Sequence, residues 1–305
     1  MKIGLVGLGR MGDNMATRLR DHGHEVVGYD TDPKRRDVGD LVELVASLDG
    51  EDRRVVWVMV PAGGPTETTL AELADHLGDG DLIVDGGNSN HHHSRRHAEE
   101  LAARGIGFVD AGVSGGIWGR TEGYCIMAGG DPDDIATLQP VFDALVTDGG
   151  FAHVGPNGAG HYSKMIHNGV EYAMMQAYAE GYELLAAGEL DIDVAAIFEV
   201  WRHGSVVRSW LLDLLTPALA EDPDLSSVRG WAEDSGEGRW TVDEAVARGV
   251  PAPAITAALF ARFASRQDDS PAMRAIATMR NRFGGHETQP GEPNAPGGVD
   301  PSEQG

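Results

Sequence analysis

The stretch Gly7-Leu8-Gly9-Arg10-Met11-Gly12 decides the fold. It ends a short apolar-leaning run at 2–7 and opens an amphipathic stretch at 10–22, and a second apolar run at 24–29 leads into Asp30, 18 residues beyond Gly12. Strand, glycine turn, helix, second strand and terminal acid in this register are the fingerprint of a dinucleotide-binding βαβ unit. The first glycine permits a tight turn, the second lets the backbone approach a pyrophosphate, and the third allows close helix packing, while the helix N-terminus faces the anion. Six residues alone read equally as a glycine turn without a ligand; the second strand and its acid tip the balance toward a nucleotide. A carboxylate at Asp30 accepts hydrogen bonds from a free ribose diol and repels a 2′-phosphate, which favours NAD over NADP. Lys34, Arg35 and Arg36 follow within about a turn and read better as a solvated basic segment than as a phosphate clamp.

Outward from this unit, apolar runs at 54–60, 81–85, 107–110, 124–128 and 151–154 alternate with helical patterns at 65–77, 91–104 and 131–146. That alternation predicts βαβ units and a parallel sheet. Beyond Gly155-Pro156-Asn157-Gly158 the pattern changes to helical periodicity. It starts with a proline-free stretch from His161 to about Ala187 and continues near 193–203, 205–219, 241–248, 253–266 and 271–282. The expected fold class is an α/β Rossmann-type N-terminal domain with a parallel sheet over 1–160, then an all-α domain over 161–286. The proline- and glycine-rich segment 287–305 is expected to be a disordered tail.

Composition narrows the partners. The chain carries 24 basic and 48 acidic residues, a formal charge of −24, and its only lysines are Lys2, Lys34 and Lys164. So negative a surface repels nucleic acid and anionic lipid. Its self-repulsion is relieved where salt is high, the Debye length being about 3 Å at 1 M, so the composition points to a salt-rich cytoplasm. The single Cys125 permits no intramolecular disulfide and no multi-thiolate metal site. No apolar run reaches membrane-spanning length. His91-His92-His93 is not expected to bind metal, because consecutive residues at a helix start splay apart.

In Lys164-Met165-Ile166-His167-Asn168-Gly169-Val170-Glu171, the polar residues Lys164, His167, Asn168 and Glu171 stand at i, i+3, i+4 and i+7 and share one helix face. An exposed polar face is the plain alternative. The scarcity of lysine favours a chemical role for Lys164. Unlike arginine, a lysine buried beside a cofactor can lose its proton and act as a general base, with Glu171 as the complementary acid.

Four stretches, Gly7 to Gly12, Asp85-Gly86-Gly87-Asn88-Ser89, Gly112-Val113-Ser114-Gly115-Gly116 and Lys164 to Tyr172, together resemble the decarboxylating 6-phosphogluconate dehydrogenases of the β-hydroxyacid dehydrogenase superfamily. The length is similar to their short-chain, NAD-linked form. The resemblance runs on through Gly238-Arg239-Trp240-Thr241, Gly249-Val250-Pro251 and Phe260-Ala261-Arg262, and resumes at Arg280-Asn281-Arg282-Phe283-Gly284-Gly285-His286. It implies oxidative decarboxylation of 6-phosphogluconate to ribulose 5-phosphate and CO2 with reduction of NAD, as in the oxidative pentose phosphate pathway and gluconate utilization. Lys164 would take the 3-hydroxyl proton as hydride leaves C3 and, once protonated, polarise the keto oxygen for loss of CO2. Glu171 would protonate the carbon that becomes C1 of the product.

The resemblance further implies substrate and nicotinamide contacts at Asn88, Ser114, Gly115, Gly116, His167 and Asn168. It implies phosphate contacts at Tyr172, Arg262 and Arg280, with His286 nearby. Cofactor contacts are expected at Gly7, Leu8, Gly9, Arg10, Met11, Gly12, Asp30, Val60, Pro61, Ala62 and Asn88. Since Arg280 and His286 come from a neighbouring subunit in the family, a homodimer is implied, or a tetramer built on it. Two alternatives stand beside this reading: a β-hydroxyacid dehydrogenase for a smaller or unphosphorylated acid, and a nucleotide-binding scaffold without activity. One departure bears on the first. Long-chain members carry a phosphate-touching lysine and threonine before Gly238, where this chain has Ser235 and Glu237. An inward carboxylate there opposes a phosphate, so Glu237 is expected to face solvent, or the terminal group not to be a phosphate.

Overall fold

A computed structural model describes residues 1–290. The chain divides into two compact units, Met1–His167 and Asn168–Gly305. The expected tail, from 291 onward, lies outside the described residues.

The first unit is a seven-stranded sheet in the order β2-β1-β3-β4-β5-β6-β7. Its strands are β1 (Lys2–Val6), β2 (Glu25–Tyr29), β3 (Val55–Val58), β4 (Leu82–Asp85), β5 (Gly107–Ser114), β6 (Tyr124–Gly130) and β7 (Val146–Gly155). The central strands β3 and β4 are buried at every position, as strands covered on both faces must be. Helices α1 (Arg10–Asp21), α2 (Leu41–Ser47), α3 (Gly64–His76), α4 (His91–Ala102), the short α5 (Gly119–Glu122) and α6 (Pro132–Leu145) connect them. Two apolar clusters result: one joins Leu5, Leu19, Trp57, Val84, Tyr124 and Phe142, the other Leu44, Val56, Val58, Leu73, Ile83 and Phe108.

Three details depart from the sequence expectations. The sheet is parallel except that β5 and β6 pair antiparallel, Ser114 opposite Cys125; a hairpin-like return through 115–123 makes this possible without a crossover. Strand β7 begins at Val146 rather than 151. Helix α2 was not expected; it is seven residues long, and Asp40 caps it by accepting the Glu43 N–H at 2.8 Å.

Among the described residues the second unit has only helices: the continuation of α7 (Ala159–Ala186), then α8 (Val194–Trp201), α9 (Trp210–Glu221), α10 (Glu237–Arg248), α11 (Pro253–Ser265) and α12 (Pro271–Gly284). Helix α7 is 28 residues long, about 42 Å at 1.5 Å per residue. Tyr172, Ala258 and Leu259 form one buried cluster with Val242 and Phe263 against it; Phe198, Leu212 and Leu219 form another. Helix α12 is exposed along its whole length, including Met273, Ile276, Met279 and Phe283.

Candidate active site

The glycine turn has the geometry its sequence implies. Gly7 has φ +91°, and a Cβ there would meet the Met59 carbonyl oxygen at 2.5 Å. A Cβ on Gly12 would lie 1.9 Å from the Gly7 carbonyl oxygen, so only glycine lets α1 start this close to β1. At Gly9 a Cβ would meet nothing within 4 Å. That open face, at a helix start with no side-chain cap, fits a bound pyrophosphate. Both Asp30 oxygens are held: Oδ2 accepts the Leu8 N–H at 2.7 Å and Oδ1 the Asp32 N–H at 2.8 Å. A fixed anion thus stands where an adenosine ribose arrives in this fold. Two of the three nearby basic residues are engaged otherwise, Arg35 with Asp32 and Arg36 with the Gly39 carbonyl. Val60, Pro61 and Ala62 leave the end of β3, Pro61 and Ala62 being exposed.

The loop after β4 is organised by Asp85, which is fully buried and accepts the Gly87 N–H at 3.0 Å and the Ser89 hydroxyl at 2.7 Å. Asn88, between them, is exposed. The rings of His91 and His92 at the start of α4 stand 4.0 Å apart; the two do not splay as expected, while His93 turns toward Glu67.

The start of α7 is fastened to the sheet by a residue that sequence reading did not single out. Asp110 on β5 is fully buried and accepts the Gly158 N–H at 2.6 Å and the His161 N–H at 2.8 Å. These are amide groups of the first turn, which lack intrahelical acceptors. Burial pushes the Asp110 carboxyl up, against the pull of His161 and the two amides. Close approach of strand and helix depends on Gly112, where a Cβ would lie 2.5 Å from the Lys164 Cβ, and on Gly160, where one would lie 2.3 Å from the Asp110 carbonyl oxygen.

Lys164 is thereby buried, 7% exposed. One turn on, His167 Nε2 stands 3.4 Å from the Ser114 hydroxyl. Gly115 and Gly116 follow with φ +135° and +52°, and Gly116 opens a short 3-10 turn. Lys164, His167, Asn168 and Glu171 occupy one face of a continuous helix, as their spacing predicts.

In the second unit, the Arg262 guanidinium carbon lies 3.5 Å from the centroid of the buried Tyr172 ring. The Tyr172 hydroxyl accepts the Ser235 N–H at 2.9 Å and meets the Ser235 hydroxyl at 3.2 Å, and Arg262 Nη1 donates to the Glu233 carbonyl at 2.7 Å. Asp234, 3% exposed at its side chain, holds this loop through Arg239 at 2.6 Å and Arg266 at 2.9 Å. Burial opposes its ionisation, but the two guanidinium groups outweigh that and keep its carboxyl below the usual range. Tyr172, Arg262 and Ser235 are thus brought together. Among the described residues, Arg280, on exposed α12, and His286, beyond it, make no hydrogen bond to any of them. Glu237 is 2% exposed: contrary to the first expectation it does not face solvent, and among the described residues its buried oxygens bond no donor, so a phosphate is compatible with it where Tyr172 and Arg262 rather than this carboxylate meet the phosphate oxygens.

This fold and site define a class: a dinucleotide-binding sheet domain with a fastened lysine helix leading into a helical domain, as in the β-hydroxyacid dehydrogenases. Residues 2–155 match the family model for the NAD binding domain of 6-phosphogluconate dehydrogenase, and residues 160–290 that for the 6-phosphogluconate dehydrogenase C-terminal domain. The chain belongs to the 6-phosphogluconate dehydrogenase family. It is 43% identical over 298 residues to an NAD(+)-dependent, decarboxylating 6-phosphogluconate dehydrogenase of Haloferax volcanii, with 94% of this chain and 98% of that protein covered. Among solved structures it is similar to a 6-phosphogluconate dehydrogenase of Plasmodium falciparum, with a TM-score of 0.79 and 26% identity over 96% of this chain and 67% of that one. It is also similar to a 3-hydroxyisobutyrate dehydrogenase of Mycobacterium tuberculosis, with a TM-score of 0.69 and 25% identity over 92% and 99%.

Proposed function

We propose that the protein catalyses the NAD-dependent oxidative decarboxylation of 6-phosphogluconate to ribulose 5-phosphate and CO2. The observation that carries this reading is the pairing of a buried lysine with a phosphate-suited cluster: Lys164 on the fastened start of α7, and Tyr172, on the same helix, with Arg262 over its ring. One arm of that guanidinium is held by the Glu233 carbonyl and its other donors match phosphate oxygens; an acid without a phosphate would have no use for Arg262, Arg280 and His286 together. The near-full-length relative that is named NAD(+)-dependent and decarboxylating supports the same reaction.

When bound, NAD supplies the hydride acceptor. Lys164 takes the proton of the 3-hydroxyl as C3 is oxidised, so that one hydride and one proton leave the alcohol. The resulting β-keto acid loses C1 as CO2, the electron pair of the breaking bond passing to C2 and on to the carbonyl oxygen, to which protonated Lys164 donates. Glu171 delivers a proton to that carbon while Lys164 takes back the enol O–H proton, and the enediol becomes the ketose. Asn88, Ser114, His167 and Asn168 orient the polyol and the nicotinamide; Gly115 and Gly116 allow close approach. Gly7 to Gly12 cradle the pyrophosphate, Asp30 holds the ribose diol, and Val60, Pro61 and Ala62 border the cofactor.

A second copy would bring Arg280 and His286 to the phosphate. The exposed Met273, Ile276, Met279 and Phe283 of α12 support a homodimer, since an exposed apolar row of this kind marks an association surface. The −24 charge and single cysteine support work in a salt-rich cytoplasm, and the reaction would serve gluconate utilization. Initial rates in molar salt with NAD or NADP, and with 6-phosphogluconate or gluconate, test the reading. Turnover of the phosphorylated acid with NAD is expected; oxidation of gluconate alone would remove the phosphate assignment.

A further inference from the structure

Glu237 is the one carboxylate among the described residues whose two oxygens are both buried and without a hydrogen-bond partner. It is the first residue of α10, after Gly236 at φ +93°, and that helix start has no side-chain cap. Thr241 and Glu244, at i+4 and i+7, are buried on the same face. That face lies against α7. A Cβ on Gly169 would meet Thr241 Cγ2 at 2.6 Å, and one on Gly238 would meet Tyr172 Cε2 at 2.5 Å. As α10 runs forward from Gly238 to Thr241, α7 runs back from Tyr172 to Gly169. The helices therefore cross antiparallel, and Glu237 sits at the Tyr172 end of the contact, two residues from Ser235.

A carboxyl group buried without hydrogen-bond partners is costly, and a ligand that supplies them offsets the cost. The Tyr172–Ser235–Arg262 cluster at this end of the contact and the uncapped first-turn amides of α10 offer donors that suit an anion, yet none of them bonds the Glu237 oxygens. A bare anion satisfies those groups and is repelled by Glu237. A phosphorylated polyol satisfies both, because its phosphate accepts while the neighbouring hydroxyls donate. Resting on the reading of the substrate given above, we infer that Glu237 is a specificity residue that accepts hydrogen bonds from the substrate hydroxyls nearest the phosphate.

The test uses the full chain and Glu237→Gln, which keeps the volume and removes the charge. Thermal unfolding is followed with inorganic phosphate and with 6-phosphogluconate, without NAD. The variant is expected to keep the shift produced by inorganic phosphate and lose most of the additional shift produced by 6-phosphogluconate. In turnover its KM for 6-phosphogluconate is expected to rise about tenfold or more, with kcat and the KM for NAD little changed. An unchanged or lowered KM would overturn the inference, since the carboxylate would then be idle or merely opposing the phosphate. Equal loss of both thermal shifts would also overturn it, by making Glu237 a prop of the anion site. Should the Gln variant not fold, Glu237→Asp carries the same KM-against-kcat comparison with the charge retained but withdrawn. Failure of the unmodified chain to oxidise 6-phosphogluconate would sink the substrate reading itself; turnover by that chain with an unaltered variant KM would sink only the role of Glu237.

Discussion

The Arg262 guanidinium stacks on the ring of Tyr172, its central carbon 3.5 Å from the ring centroid. Stacking fixes the plane of the fork while the ring's hydroxyl is held by Ser235. Two phosphate-suited groups are therefore set before any ligand arrives, which lowers the ordering cost of binding. Replacing Arg262 by Ala removes charge-assisted hydrogen bonds worth about 1.5–3 kcal/mol, so the KM for 6-phosphogluconate should rise roughly 10- to 100-fold. Arg262→Lys should recover little, because an ammonium neither stacks as a plane nor offers a fork. Steady-state kinetics decide this; an unchanged KM in the Ala variant would remove Arg262 from the phosphate site.

Asp30 is pinned at both oxygens by backbone amides, so its charge cannot swing away from an incoming 2′-phosphate. Asp30→Ala should raise the KM for NAD about tenfold or more while changing that for NADP less, or lowering it. Equal losses with the two cofactors would contradict the ribose role.

Lys164→Met keeps a long side chain in the buried space beside Gly112 and removes the ammonium. Turnover should fall below detection, since general acid–base catalysis by one group contributes typically about 10²–10⁴-fold and the proposed mechanism uses this lysine in both oxidation and decarboxylation. Binding of NAD, followed by fluorescence titration, should be nearly unchanged. Retained turnover would end the assignment.

Asp234 makes an acid-sensitive fastening. Its folded-state carboxyl titrates below its usual value, so its stabilisation is present above the ordinary aspartate range and is lost as pH falls through the folded-state value. Asp234→Asn should destabilise the chain at neutral pH by roughly 2 kcal/mol, the scale of hydrogen bonds to charged groups. The gap to the parent should close as both are acidified. Chemical denaturation at neutral and acid pH measures it, and a gap independent of pH would show that the ion pairs are not its source.

Much of this is legible in the sequence because it is local. The glycine turn and Asp30 lie in one βαβ unit, and the spacing of Lys164, His167, Asn168 and Glu171 fixes a helix face without tertiary information. Directions between distant segments are not legible. Nothing in the run around 124–128 states that β6 pairs antiparallel with β5. Helix α2 is too short for periodicity to register, and its signal is the single cap at Asp40. The start of α10 at Glu237 is hidden between two glycines, so the sequence does not say which way that carboxylate turns. Asp110 escapes notice for a similar reason: an acid in a strand reads as an edge or a kink until its acceptor role at the start of α7 is seen. Its companion Gly112 belongs to a recognisable motif, but its physical reason, room for Lys164, appears only in three dimensions.

Whether oxidation at C3 is coupled to loss of C1 is read from the stoichiometry of the reaction. With limiting 6-phosphogluconate and excess NAD in molar salt, NADH, CO2 and ribulose 5-phosphate are measured at completion. Equal amounts of all three are expected. NADH formed without CO2 would contradict it, leaving a dehydrogenase that stops at the keto acid and no role for Glu171.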